Sequence, residues 1–260
     1  MIKFFRKIRI SLILNNRIGG YILYAIGEII LVVIGILIAL EINDWNDLRK
    51  QEQLEQSYYC KIYEDVIQDH LQIEKHLEEN ENRIKSSNEL LHLLQEEHPD
   101  RADVIEKLQA ATSKTTFTFK PSMAAFEDLK SSGNLRVIKD IDLKDKLIKY
   151  YSTLEGYIDI IDVNSDKTVA LYFDTNRNFS ELGMQNINFV KAELDTNMVD
   201  INRLNAVNYP SSELRKQLTS DGVFYLATNA RKKMIYKVME KEINEMQALI
   251  SLKCQKIETN

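Results

Sequence analysis

Proline and glycine are scarce in this 260-residue chain, at 3 and 8 residues. Four of the glycines (Gly19, Gly20, Gly27 and Gly35) fall in or beside one apolar run, which leaves the rest almost free of helix breakers. That excludes a loop-rich β architecture and favours long uninterrupted helices. Cysteine is limited to Cys60 and Cys254, too few and too far apart for a cysteine-based zinc knuckle. The histidines are His70, His76, His92 and His98. Glu89 and His92 have the Glu-x-x-His spacing of carboxylate di-iron bundles, but no second pair exists to complete such a centre. Glycine-rich phosphate loops, Gly-x-Ser-x-Gly elbows and His-Glu-x-x-His motifs are all missing. No catalytic residue, cofactor or metal ligand is therefore assigned, and the chain is not expected to be an enzyme.

Acidic residues are absent from the first 17 positions, which hold Lys3, Arg6, Lys7, Arg9 and Arg17. All 39 Asp and Glu residues lie beyond them. So acidic a remainder is a poor match for a phosphate backbone, and nucleic acid is not an expected partner. The basic start suits anionic lipid. It serves either as the positive flank of the segment that follows or, in residues 2–14, as a stretch lying along the inner leaflet.

From Ile18 to Ile42 the chain reads IGGYILYAIGEIILVVIGILIALEI. At 1.5 Å per residue this crosses a hydrocarbon core about 30 Å thick. Leu, Ile and Val fill 14 positions from Ile22 to Ile42, each worth about −0.3 to −0.6 kcal/mol on insertion. Together they outweigh Glu28, the run's only charge before Glu41, whose carboxyl costs about 3 kcal/mol at the centre. The basic flank on one side predicts a cytoplasmic N-terminus and an exported remainder. A cleaved signal peptide has a similar start, but this run is too long for one and shows no small-x-small site before Trp45. Trp45 at one end, with Tyr21 and Tyr24 at the other, fits the two interfacial belts.

At 100° per residue, Gly20, Gly27, Glu28, Gly35 and Ala39 share about a third of the helix circumference. Small residues on one face permit close helix–helix approach, and Gly35 and Ala39 have small-xxx-small spacing. Two readings of Glu28 stand: a carboxyl turned toward a partner across that face, or one shallow enough to snorkel toward the cytoplasm.

The string YAIGEIILVVIGILIALEINDWND at Tyr24–Asp47 resembles the hallmark of an uncharacterised family of single-pass membrane proteins from Bacteroidota. The basic MIKFFRKIR at Met1–Arg9 and AFEDLKSSGNLRVIKDIDLKDKLIKYY at Ala125–Tyr151 are similar to further stretches of that family. The resemblance implies a compartment (the inner membrane) and an architecture, and no activity.

Beyond Trp45, periodicity predicts a helix to about Glu97, where His98-Pro99-Asp100 stops it. Its stripe steps by four and three through Tyr59, Tyr63, Val66, His70, Ile73, Leu77, Asn80, Ile84, Ser87, Leu91 and Leu94, a heptad-like seam with polar breaks. A short helix is expected near Ala102–Ala111, an extended stretch at Thr115–Lys120, and a helix at Ser122–Ser131 stopped by Gly133. Ile141 to about Phe173 repeats the seam through Leu143, Leu147, Tyr150, Leu154, Tyr157 and Ile161. Residues 174–212 show little periodicity. A last helix from Gly222 to about Lys256 carries Ile235, Met239, Ile243, Met246 and Ile250.

The expected organisation is all-α: a basic cytoplasmic segment at 1–17, a transmembrane helix at 18–42, and an elongated exported helical bundle in 43–260. If the last helix returns toward the membrane, Cys60 and Cys254 approach each other, and an exported compartment permits their disulfide. The functional expectation is a membrane-anchored helical scaffold or accessory protein of the cell envelope. Its expected partners are membrane lipid and a protein, or a second copy, met through the anchor and the seams. The alternative is an extracytoplasmic sensing module that signals through an anchor partner.

Overall fold

The computed structural model describes residues 18–174, 179–206 and 210–255, except the surroundings of Ile18, Gly20, Tyr21 and Tyr24. The basic segment 1–17 and the tyrosine belt at Tyr21 and Tyr24 thus lie outside what is described. Among the described residues the regular structure is all helical. Helix α1 spans Ile18–Leu93. Then come α2 (Arg101–Thr112), α3 (Ala124–Ser131), a 3-10 turn at Asn134–Val137, and α4 (Ile141–Tyr172). Short elements follow: α5 (Phe179–Leu182), a 3-10 turn at Met184–Asn186, α6 (Asn188–Glu193) and α7 (Ile201–Leu204), before α8 (Ser212–Cys254).

The chain divides into two compact units, Met1–Glu55 and Gln56–Asn260. In the first, an 18-residue window of α1 reaches a mean hydropathy of 2.6 with none of it buried. This is one helix long and apolar enough to cross a membrane.

In the second unit the apolar residues form two clusters. One joins Tyr59, Ile62, Val66, Ile73 and Leu77 of α1 to Phe126 and Leu129 of α3, Leu143 to Ile161 of α4, and Ile235 to Ile250 of α8. The other joins Leu90 of α1 to Val104, Ile105 and Leu108 of α2, Tyr172 of α4, and Leu214, Leu218 and Tyr225 of α8. Between them every long helix carries buried polar residues: Asn80, Arg83 and Ser87 on α1, Ser165 and Thr168 on α4, Asn229 and Lys232 on α8.

Several boundaries differ from the sequence expectation. α1 ends at Leu93 rather than Glu97: Gln95 N and Glu96 N turn back to His92 O and Leu93 O, and Arg215 of α8 donates to the carbonyls of Glu96 and Glu97 at 2.6 and 2.9 Å. α8 starts at Ser212, ten residues before Gly222, with Ser211 as an N-cap accepting from Leu214 N and Glu213 in the first turn. Gly222 is instead a packing position, where an added Cβ would come within 2.9 Å of Leu91 Cδ2. The stretch Thr115–Lys120 opens in a turn and forms no strand, with Lys114 at φ +53° and Phe117 N donating to Lys114 O. Gly133 at φ +72° follows α3, a backbone conformation that suits glycine.

The seam of α1 is half as expected. Tyr59, Val66, Ile73, Leu77, Asn80, Ser87 and Leu94 are buried, but Ile62, Asp69, Arg83 and Leu90 are buried in place of Tyr63, His70, Ile84 and Leu91, each one residue later. The true stripe contains an aspartate and an arginine, which composition assigns to solvent.

One end of the bundle is knotted covalently. Cys60 of α1 and Cys254 of α8, both half-buried, form a disulfide across a sequence separation of 194. Beside it Gln56 Nε2 donates to Lys253 O and Cys254 O at 2.6 and 2.8 Å, satisfying the last carbonyls of α8. Lys253 Nζ reaches the Asp140 carboxylate at 2.7 Å, joining the start of α4 to the end of α8 and holding the Asp140 pKa below its usual range. On the chain-entropy account a loop this long is worth about 5 kcal/mol. Paired Cys60→Ser and Cys254→Ser substitutions are expected to lower unfolding stability by about 2–5 kcal/mol, measured by urea denaturation of the detergent-solubilised chain without reductant.

Candidate functional site

The residues joining α2 to α3 form a strap, 113–123, that runs partly inside the bundle: Thr115 and Thr118 are buried, and Phe119 is fully enclosed in the first apolar cluster. Buried backbone must find hydrogen-bond partners, and beyond turns such as Phe117 N to Lys114 O the irregular strap has no regular ladder to supply them. The strap's partners are side chains from the three long helices.

At the α2 end the donors are cationic or amide groups. Asn229 Nδ2 donates to Ala111 O at 3.0 Å, and Arg83 Nη1 to Ser113 O at 3.5 Å. Lys232 Nζ donates to Thr115 O at 2.7 Å and to Ser165 Oγ at 2.9 Å. Asn80 completes the layer, donating to Asn229 O at 2.7 Å and accepting from Arg83 Nη2 at 3.3 Å. The last carbonyls of a helix lack intrahelical partners and carry the negative end of its dipole, so cations at the end of α2 are well placed.

At the α3 end the partners are acidic. Asp69 Oδ1 accepts from Ser122 N at 2.7 Å and its Oδ2 from the Tyr150 hydroxyl at 2.8 Å. Asp65, one turn earlier, accepts from Ala125 N at 2.9 Å and serves α3 as a cap supplied by another helix, since Met123 offers none. Gln72, on the same face of α1, holds both backbone groups of Lys120, at 3.0 Å to its O and 2.9 Å from its N. Asp65, Asp69 and Gln72 are spaced four and three apart, so one face of α1 presents all three to the strap.

Both ends contain ions held by neutral groups. Burial pushes the Asp69 pKa up to about 6, and the Asp65 charge adds to the rise. Burial pulls Lys232 down to about 7, helped by the like charge of Arg83. Burial likewise lowers Arg83, whose Nε has no partner among the described residues, and lowers His76, stacked on Tyr236 at a centroid distance of 5.7 Å. Tyr150 and Tyr151 are pushed well above the phenol range by burial and by Asp69. Lys232 is 3% exposed and enclosed by its acceptors. The arrangement is chemically a clasp on backbone.

On α1, Gly27 and Gly35 have no atom of the chain within 4 Å of an added Cβ, Ala39 is exposed, and Glu28 is half-buried. The surroundings of Gly20 lie outside the described residues. Glu89 pairs with Lys107 at 3.2 Å, and His92 lines a surface groove beside it. No group of three His, Cys, Asp or Glu residues suited to a metal ion occurs among the described residues.

Sequence reasoning singled out Asn80 and Ser87 but missed Asp69, Arg83, Asn229 and Lys232. The available signal was confined to α1, whose apolar seam is broken by polar residues at this height. Asn229→Leu orphans the Ala111 carbonyl and is expected to cost about 1–3 kcal/mol. Met198→Ala, at a residue 84% exposed, should stay within about 0.5 kcal/mol. Urea denaturation of both variants checks the pair.

No curated protein and no solved structure matches the chain. Residues 28–166, more than half of its length, match a family of unknown function, DUF6090. That span runs from Glu28 through the strap and into α4, and the chain belongs to this family.

Proposed function

We propose that the protein is a membrane-anchored helical interaction protein of the cell envelope, a scaffold or accessory subunit rather than a catalyst. The observation that carries this reading is the bare apolar length of α1: from Ile29 to Ile42 its large side chains are 47–68% exposed. Each such side chain left in water forgoes about 1.5–3 kcal/mol of burial, so lipid or a second apolar helix must cover them. The basic flank at 1–17 supports a cytoplasmic N-terminus and a bundle on the other side of the inner membrane. An oxidising compartment there suits the Cys60–Cys254 disulfide. The Tyr24–Asp47 string serves on this reading as the family's anchor signature, from a Bacteroidota source. The face of Gly20, Gly27, Glu28, Gly35 and Ala39 supplies the contact with an anchor partner or a second copy.

A second reading, a sensing module, draws on a cleft of about 290 Å³ between α4 and α8, lined by Lys146, Lys149, Tyr150, Glu242, Glu245 and Met246 among others. Polar and aromatic walls of this kind suit a small ligand better than a docked helix.

Crosslinking and pull-down from native membranes test the first reading, using the intact chain and a Glu28→Ala, Gly35→Leu anchor variant. The expected outcome is a reproducible partner or self-crosslink that drops at least about tenfold in the variant, a loss of about 1.4 kcal/mol. Equal capture by both anchors would sink the anchor-contact reading.

A further inference from the structure

The strap has an asymmetry that structural clasping alone does not require. Its α3 end is held by a buried carboxylate, Asp69, and its α2 end by a buried amine, Lys232, which are 0% and 3% exposed. Among the described residues neither ion faces a buried opposite charge. Around Asp69 stand Asp65 of α1, Ser122 of the strap, and Tyr150 and Tyr151 of α4. Around Lys232 stand Arg83 and His76 of α1, Thr115 of the strap, and Ser165 and the exposed Asp162 of α4.

We propose that the strap is a two-ended proton latch, in which ionisation of Asp69 loosens one end and protonation of Lys232 loosens the other. The sign follows from burial. A closed strap keeps each group out of water and so favours its neutral form, whereas an opened strap returns it to solvent and its ordinary pKa. The proton on Asp69 comes from solvent. In the neutral form the Tyr150 hydroxyl turns its own proton out of the contact, Asp69 donates to the Tyr150 oxygen through Oδ2, and Oδ1 still accepts from Ser122 N. Lys232 in its neutral form keeps two N–H donors, for Thr115 O and Ser165 Oγ, and offers its lone pair to the Thr115 hydroxyl at 3.3 Å. Both ends can therefore hold without charge.

The two groups titrate in neighbouring ranges, Asp69 near 6 rather than 3.8 and Lys232 near 7 rather than 10.5. Closure through Asp69 is complete below its ordinary pKa and is lost as pH rises through about 6. Closure through Lys232 is weakest below about 7 and grows as pH rises toward its ordinary value. Between pH 6 and 7 both ends carry buried charge, so the strap is held least there and more tightly on either side. His76, lowered by burial, has the same sign as Lys232: its charging on acidification favours opening of that end. Opening withdraws Phe119 from the first apolar cluster and frees the backbone of 113–123.

The experiment is amide hydrogen exchange over peptides covering 113–125, on the full chain in lipid nanodiscs from pH 5 to 8.5, with rates corrected for intrinsic pH dependence. The expected profile is a V with its minimum protection between pH 6 and 7, each limb rising by at most about tenfold per pH unit. Asp69→Asn should remove the acid limb alone, and Lys232→Met the alkaline limb alone. A flat profile, or limbs that survive both substitutions, overturns the latch. Should a variant fold poorly, carboxyl carbon NMR of the unaltered chain decides the Asp69 end. A midpoint near 6 supports it, and one near the ordinary aspartate value refutes it.

Discussion

The constraint on which the bundle depends is that the strap between α2 and α3 lies partly inside it and must have its backbone groups satisfied there. An unpaired buried carbonyl or amide costs about 1–3 kcal/mol, and the strap has several. Each long helix therefore gives up apolar positions at one level. At that level α1 contributes Asn80 and Arg83, α4 contributes Ser165, and α8 contributes Asn229 and Lys232. Asp69 and Gln72 meet the other end of the strap, from the stretch of α1 that belongs to the first apolar cluster. The division of the core into two apolar clusters follows from this, since the polar level interrupts the apolar stripe of all three helices. The charges are also sorted by helix polarity: cations meet the C-terminal end of α2, and acids meet the N-terminal end of α3.

That sorting explains why ions are tolerated in the interior at all. A buried ion pair gains little over apolar packing, while an unpaired buried ion is costly. Here the compensation comes from helix ends and backbone dipoles rather than from opposite charges. Such compensation is partial, which is why burial dominates the displaced pKa values of Asp69 and Lys232. Arg83 cannot shed its proton in any ordinary range. It sits with long hydrogen bonds one turn beyond Glu79, a carboxylate at the rim whose charge acts on it. The layer thus holds charge that helix ends and neutral groups compensate only in part.

Much of the helical framework was legible from period and punctuation. The scarcity of proline and glycine, the seam of α4 from Leu143 to Ile161 and the face of α8 from Ile235 to Ile250 predicted buried helices, and these seam residues are buried except for the half-buried Tyr157. The seam of α1 was placed one residue late at four of its alternate positions, while Leu77 is buried as expected. Tyr63, His70, Ile84 and Leu91 fit a four-three rhythm as well as Ile62, Asp69, Arg83 and Leu90 do, and hydropathy disfavours a stripe holding two charges. Only knowledge that a strap's backbone must be met could have reversed that choice. The start of α8 was hidden by Gly222, which reads as a helix breaker and is instead a point of close approach to Leu91. The clasp residues on α8 were illegible for a related reason. Asn229 and Lys232 look like surface positions until the Ala111 and Thr115 carbonyls are seen to face them.

The matched family span ends at residue 166, whereas the amine end of the strap and the second cysteine come from α8. Residues 28–166 hold the carboxylates, Gln72, Arg83, the strap and most of α4, and they leave α4 without the helix that packs along it. Ile161, Leu154 and Leu147 share their cluster with Ile235, Met239, Ile243 and Ile250 of α8. Stripped of α8, these side chains would each forgo about 1.5–3 kcal/mol of burial, and the Thr115 carbonyl would lose the Lys232 amine. The span is consequently not a self-sufficient folding unit in this chain. α8 closes the core, supplies the cationic end of the clasp and carries Cys254, so the apolar, polar and covalent ties that complete the bundle converge on one helix.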